Sequence, residues 1–230
     1  MILPTFNEKD NLERVVGEVR GLGHDVLVVD DNSPDGTGEI ADQLAAADPR
    51  LTVLHRAGKL GLGSAYVAAF RIGLERGYRL LVEMDADGSH RIEHLPAIVE
   101  AARANGGLGL GSRYVAGGAV TGAWGAHRKF LSWGANVYCR ALLGLNIHDC
   151  TSGYRCYTRA LLEEIDLDRV ISDGYSFQIE MVYLATLKGY RVTEVPILFE
   201  DRIAGASKVT RGEIVSDFLK VIRLRVRHGR

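Results

Sequence analysis

The stretch LLVEMDADGSH, residues 80–90, carries a mostly apolar run into Asp85-Ala86-Asp87 and then into a glycine, a serine and a histidine. An apolar run of strand length that stops on two carboxylates predicts a buried strand reaching the surface. The same arrangement stands upstream. VLVVDD, residues 26–31, is a β-branched run ending on Asp30 and Asp31, and it has the unbroken apolarity of a strand covered on both faces. A strand end and an amphipathic helix from about Asn7 precede it. A helix over residues 38–47, a strand over LTVLH at 51–55 and a helix from Gly61 to Arg76 follow it. Residues 78–84 make a fourth strand, and GLGLGS at 107–112 holds a fifth. Strands separated by helices of this length predict an α/β fold with a mostly parallel central sheet, right-handed crossovers and helices on both faces. Ligands of such sheets bind beyond the carboxyl ends of the strands. The turns PTFNE, DDNSPDGT and DADGSH each follow a strand, so they are expected on one edge as one site.

The second half is less regular. It reads as a helix from His127 to Leu143, a short strand within Gly153 to Tyr157, a helix from Ser176 to Lys188 and a strand over residues 190–199. A polar loop, DRIAGASKVT, leads into a basic amphipathic helix over residues 210–230. Lys220, Arg223, Arg227 and Arg230 fall on one stripe of that helix, and Val215, Leu219, Ile222 and Val226 on its neighbour. Such a helix either lies in an anionic membrane surface or packs on the domain with its basic face outward. With no repeat and no linker, residues 1–230 read as one domain.

Composition bounds the function. The chain has 230 residues, 47% apolar and 25% charged, with a formal net charge of −1. That balance argues against a general nucleic-acid binder. Three cysteines without CxxC spacing argue for reduced thiols in the cytoplasm, with a Cys150–Cys156 pair as the alternative for an exported chain. Acidic Glu8 and Asp10 follow Met1 too soon for a signal peptide, and no apolar run is long enough to span a bilayer.

Several side chains are chemical candidates, each beside a plainer reading. Asp85 and Asp87, around a small Ala86 that lets backbone approach a ligand, suit a hard cation such as Mg²⁺ held with substrate phosphates, or they form a solvated turn. Asp30 or Asp31 accepts hydrogen bonds from a nucleotide base, or Asp31-Asn32-Ser33 caps the following turn and helix. Glu8 is a ligand or a first-turn helix acid. Lys59, in a glycine-bearing loop, meets a phosphate or stays in solvent. Gln178 by itself reads as a polar residue on a helix face.

In order along nearly the whole chain, PTFNE, VVDDNSPDGT, GKLGLGSAY, EMDADGSH, GSRYVAGG, DCTSGYRCY, GYSFQIEM, EVPILFEDR and GASK resemble the polyprenol-phosphate (dolichol-phosphate) mannose synthases of the family-2 glycosyltransferases. The resemblance implies a GT-A, Rossmann-like fold and inverting transfer of mannose from GDP-mannose to a polyprenyl phosphate. Pro4, Phe6, Glu8, Val29 and Asp31 would hold the guanine nucleoside, with Lys59 and Ala86 also lining the donor site. Asp85, Asp87 and Gln178 would hold a divalent ion, Mg²⁺ or Mn²⁺. Arg113, Arg128 and Ser132 would receive the acceptor phosphate. Arg202 and Lys208 would close over the donor. Asp87, Arg113, Arg128 and Arg202 are therefore the expected catalytic groups. A phosphate oxygen is already anionic at neutral pH and needs no general base, so His90 and His127 read as structural or positioning groups. Phe6 stands where the family often has tyrosine, and Gly88 where a larger residue is common. The expected protein is cytoplasmic and peripheral to a membrane, docked on the lipid surface or on a membrane-protein subunit. The rival readings are a glucosyltransferase using UDP-glucose, a receiver-like phosphotransfer domain, and a nucleotide-sugar binder without turnover.

Overall fold

The computed structural model describes residues 1–122, 125–170, 172–200 and 211–228. Arg202 and Lys208 lie outside the described residues. Strands β1 (Ile2–Thr5), β2 (Val26–Asp30), β3 (Leu51–His55) and β4 (Leu80–Glu83) alternate with helices α1 (Lys9–Gly21), α2 (Thr37–Ala47) and α3 (Leu62–Glu75). The chain continues through α4 (Leu95–Asn105), β5 (Leu108–Ser112), β6 (Ala119–Val120), α5 (Ala126–Leu143), β7 (Arg155–Thr158) and α6 (Arg159–Glu164). It ends in α7 (Tyr175–Leu187), β8 (Val192–Pro196), β9 (Leu198–Phe199) and α8 (Arg211–His228).

The main sheet has seven strands in the order β3-β2-β1-β4-β7-β5-β8. Strands β1 to β4 are mutually parallel, while β7 runs antiparallel to both neighbours, β4 and β5. The expected mostly parallel sheet is therefore present, with one reversed strand between β4 and β5. The expected strand over 190–199 is split into β8 and β9, and β9 pairs with β6 in a separate ribbon. The sequence reading had no helix at 95–105, where α4 lies, and none at α6.

Each strand sends alternate residues to opposite faces. Leu27 and Val29 join a core with α3, α5, α6, α7 and α8, whereas Val26 and Val28 join a core with α1, α2 and α4. Fully buried strands with apolar side chains on both faces need a helical layer on each side, which is the arrangement found. The first crossovers run outward from β1 to β3 with α1 and α2 on one face, and the chain then returns with α3 on the other face to place β4 beside β1. The strand order reverses between β1 and β4, so their carboxyl ends open on a crevice.

Candidate active site

The turns after β1 and β2 are stitched together. Asn7 and Asn32 both take positive φ, 60° and 56°, a conformation that asparagine tolerates better than most residues. The Asn7 amide then donates to Ser33 Oγ (3.1 Å), and the Glu8 amide to Thr37 Oγ1 (2.9 Å). Asp30 spends its carboxylate inward, accepting from Thr5 Oγ1 (3.2 Å), the Ser33 amide (3.1 Å) and Ser33 Oγ (2.5 Å). Asp31 faces the next turn. It pairs with Arg56 Nη1 at 3.0 Å, both side chains being nearly buried, and accepts from the Leu60 amide at 3.1 Å. Burial raises the Asp31 pKa above the usual carboxylate value, and the Arg56 guanidinium opposes that rise. Lys59 Nζ sits 4.9 Å from the centre of the Phe6 ring. Pro4 and Val29 pair across β1 and β2 at the same edge, and Glu8 Oε2 accepts from Asn11 Nδ2 at 3.1 Å.

The carboxylate turn leaves β4. Asp87 is buried, and its Oδ1 accepts from the Ser89 amide (3.0 Å) and Ser89 Oγ (2.6 Å), which fixes the turn. Ala86 is buried between the two aspartates. The Asp85 amide donates to His90 Nδ1 at 3.2 Å, so that ring nitrogen carries no proton. His90 is stacked on Tyr154 and set edge-on to Phe199, and burial depresses its pKa to about 4. A neutral ring acting as an acceptor holds the turn in shape. His127 is exposed on the first turn of α5.

Gln178 reaches the same place from α7. It is buried, and neither atom of its amide makes a hydrogen bond of normal geometry among the described residues. A Cβ built on Gly153 would lie 3.5 and 3.7 Å from the two Asp85 oxygens and 3.7 Å from Gln178 Nε2. Two carboxylates, an amide able to turn its oxygen inward and a gap kept by a glycine fit a hard divalent cation. Among the described residues there is no group of three or more His, Cys, Asp or Glu that could hold a metal ion.

Beneath this gap, Glu83 and Arg155 face each other across β4 and β7 and are fully buried. Burial raises the Glu83 pKa to about 8, with Arg155 the main opposing influence. Arg155 donates to the carbonyls of Ser152 (2.7 Å), Cys150 (2.7 Å) and Gln178 (2.6 Å), tying the loop before β7 to α7.

The expected acceptor residues also converge. Arg113 follows β5 directly and forks onto Asp149, with Nε to Oδ2 at 2.7 Å and Nη2 to Oδ1 at 2.6 Å. Ser132 Oγ accepts from Tyr114 Oη at 2.7 Å. Arg128 lies one turn before Ser132 on α5, and a spacing of four puts both on one helix face. The Phe199 ring, 5.4 Å from Arg113 Cζ and in contact with His90, joins this cluster to the carboxylate turn.

Sequence reasoning missed Arg56, Glu83, Asp149 and Arg155. Their signals were present: a charge inside the apolar runs LLVEM and YRCY, Arg56 directly after a strand, and Asp149 opening the polar turn DCTSG before another.

A doubly covered sheet with one reversed strand and a carboxylate turn at the reversal of strand order fits the GT-A class of glycosyltransferase. The model for "Glycosyl transferase family 2" matches residues 1–166. This chain belongs to that family. It is 51% identical over 230 residues to a polyprenol monophosphomannose synthase of Mycolicibacterium smegmatis, covering 99% of this chain and 86% of the relative. It is 50% identical over 224 residues to an undecaprenyl-phosphate mannosyltransferase of Micrococcus luteus, covering 96% and 91%. Among solved structures, glucosyl-3-phosphoglycerate synthase from Mycobacterium tuberculosis with Mn²⁺ and UDP-glucose superposes at a TM-score of 0.66 and 19% identity, covering 99% of this chain and 78% of that one. A Pyrobaculum calidifontis mannosyltransferase with GDP-mannose and Mn²⁺ gives 0.56 and 20%, covering 96% and 63%. At such identities these structures speak for the fold.

Proposed function

We propose that the protein transfers mannose from GDP-mannose to a polyprenyl phosphate, inverting the anomeric centre to give polyprenyl-phosphate β-mannose and GDP. The observation that carries this reading is the juxtaposition of the Asp85–Asp87 turn with Arg113, Arg128 and Ser132, in a chain about half identical to two polyprenyl-phosphate mannosyltransferases. In this reading Pro4, Phe6, Glu8, Val29, Asp31, Lys59 and Ala86 line the donor site, and Arg202 and Lys208 add cations over it. Asp85, Asp87 and Gln178 would hold a divalent ion, Mg²⁺ or Mn²⁺, which supplies charge neutralisation for the diphosphate.

The chemistry is a displacement. An acceptor phosphate oxygen bonds to the sugar C1 as the C1–O bond to the diphosphate breaks, and GDP leaves with the electron pair. No proton need move, which suits a site whose buried histidine is held neutral. The obstacle is repulsion: two unit charges at ~4 Å oppose each other by about 4 kcal/mol at an effective dielectric of 20. That amounts to roughly a thousandfold in rate. Arginine forks are suited to offsetting it, since they bind phosphate in pairs of directed bonds.

The acceptor is a lipid, and exposed apolar residues lie near its proposed phosphate site. Phe130, Leu131, Trp133 and Val137 are exposed on α5 beside Arg128 and Lys129. On α8, which packs against α5, Ile222 and Val226 are exposed among Arg223, Arg225 and Arg227, while Val221 and Leu224 pack inward. Among the described residues no helix is long and apolar enough to cross a membrane. The reading is a peripheral protein on an anionic lipid surface, alone or with a membrane subunit. Its three free, buried thiols suit the cytoplasmic side.

The test is transfer of labelled mannose from GDP-mannose to a short polyprenyl phosphate by purified protein. Product is expected, and chelator should abolish it. Asp87→Ala should lower the rate by about a thousandfold without loss of fold. Faster transfer from UDP-glucose, or undiminished transfer in chelator, would overturn the reading.

A further inference from the structure

Arg113 is held more tightly than a residue whose only task is to meet a substrate. Its backbone amide and Nε both donate to Asp149 Oδ2, at 2.9 and 2.7 Å. Nη2 donates to Asp149 Oδ1 (2.6 Å) and to Thr151 Oγ1 (2.8 Å). Nη1 lies outside these bonds, and the rings of Tyr114 and Phe199 flank the guanidinium at 5.4 Å each. Asp149 is itself completely buried and fixed from behind. Its amide donates to Glu194 Oε1 at 3.0 Å, and the next amide, that of Cys150, donates to Asn136 Oδ1 at 2.7 Å. Asn136 in turn donates to the Ser132 carbonyl at 3.0 Å. One short loop thus ties β8, the end of β5 and the acceptor face of α5 together.

We infer that Asp149 is a positioning residue: it aims the Arg113 guanidinium at the acceptor phosphate. The inference rests on the proposed mannosyl transfer to a lipid phosphate. Two effects of the Asp149 carboxylate oppose each other. Its negative charge repels an incoming phosphate, so its removal should tighten acceptor binding. Its fork holds a buried cation that would otherwise turn toward water, because an unpaired buried charge is costly. Both carboxylate oxygens and two guanidinium nitrogens are engaged in a dry site, and paired charge-assisted bonds of that kind fix direction as well as charge. Orientation therefore prevails over repulsion, and the sign of the effect is the test.

Steady-state kinetics with GDP-mannose and a short polyprenyl phosphate would be measured for the wild type, Asp149→Asn, Arg113→Gln and the double variant. Calorimetric titration of the same polyprenyl phosphate, without donor, would accompany them. Asp149→Asn should raise the acceptor KM and the calorimetric Kd about tenfold and leave the donor KM within about twofold. The double variant should be no worse than Arg113→Gln alone, because a residue acting through another shows non-additive losses. A fall or no change in acceptor KM, equal losses for donor and acceptor, or multiplying effects would overturn the inference. Should Asp149→Asn fail to fold, Thr151→Val removes one partner of the fork without unpairing a charge. It should raise the acceptor KM alone, by about threefold, and an unchanged KM overturns the inference. If the wild type binds polyprenyl phosphate in an Asp149-dependent way yet transfers nothing from GDP-mannose, the donor reading fails and the positioning role stands. If it binds no polyprenyl phosphate, both fall.

Discussion

Asp30 and Asp31 are neighbours in sequence with different work. Asp30 is consumed by Thr5 and Ser33 and closes the turn after β2. Asp31, on the opposite side of the backbone, meets Arg56 and the Leu60 amide. The turn clasp expected of Asp31 with Asn32 and Ser33 is thus made by Asp30 instead, and the Asp31 carboxylate is left to Arg56 and the Leu60 amide. Gly153 is another position where one atom decides. The nearest atoms to a Cβ there would be Asp85 and Gln178 at 3.5 Å or more, which is ordinary contact, so alanine fits the protein alone. The added methyl would occupy the gap assigned to the cation. Gly153→Ala is expected to raise the Mn²⁺ concentration needed for half-maximal activity by about tenfold or more. Its melting temperature should stay within about 2 °C of the wild type. Calorimetric Mn²⁺ titration beside thermal unfolding checks both, and unchanged Mn²⁺ affinity would move the cation elsewhere.

At the scale of elements, β5 shows why a glycine-rich strand sits inside a tightly packed sheet. In LGLGS, Leu108 and Leu110 enter one core, while Gly109 faces α4 on the other side. A Cβ on Gly109 would fall well inside contact distance of the Ile98 carbonyl oxygen, and both that atom and the nearby Ala102 amide are backbone. Helix α4 therefore lies against bare strand backbone, and a side chain at 109 must push the helix away. Gly109→Ala should cost about 3 kcal/mol and lower the melting temperature by on the order of 10 °C. Differential scanning calorimetry would show it. Helix α4 escaped the sequence reading even though its buried residues Leu95, Ile98, Val99 and Ala102 have helical spacing. Pro96 stands in its first turn, where proline is common because its missing N–H would be unbonded there anyway. The reversed strand β7 was legible as a strand but not as one inserted between β4 and β5, because its partners lie far along the chain.

For the whole molecule, a net charge of −1 hides a strong local asymmetry. Basic residues and exposed aromatics share α5, and α8 packs beside it with its own arginines outward. A surface of this composition should bind anionic vesicles through apolar insertion and charge together. Phe130→Ser with Trp133→Ser should weaken vesicle binding by at least about tenfold, since each aromatic loses up to roughly 1.5–3 kcal/mol of burial. Transfer to a detergent-soluble short acceptor should remain within about twofold. Co-sedimentation with phosphatidylglycerol vesicles measures the first effect and the transfer assay the second; undiminished sedimentation would place the membrane contact on another face.

The sequence by itself determined the alternation of β1 to β4 with α1 to α3, the carboxyl edge on which the motif turns gather, and the carboxylates those turns carry. These are local properties: the period of apolar residues, the turn-forming residues after each strand, and the ordered motifs. Tertiary structure alone decided that Arg155 clamps Gln178 from below, that Arg56 faces Asp31, and that Asp149 grips Arg113 from a loop some 36 residues away. Buried charges are tolerable only beside their partners, and the chain meets those partners through strand order and helix packing, which no short stretch of residues encodes.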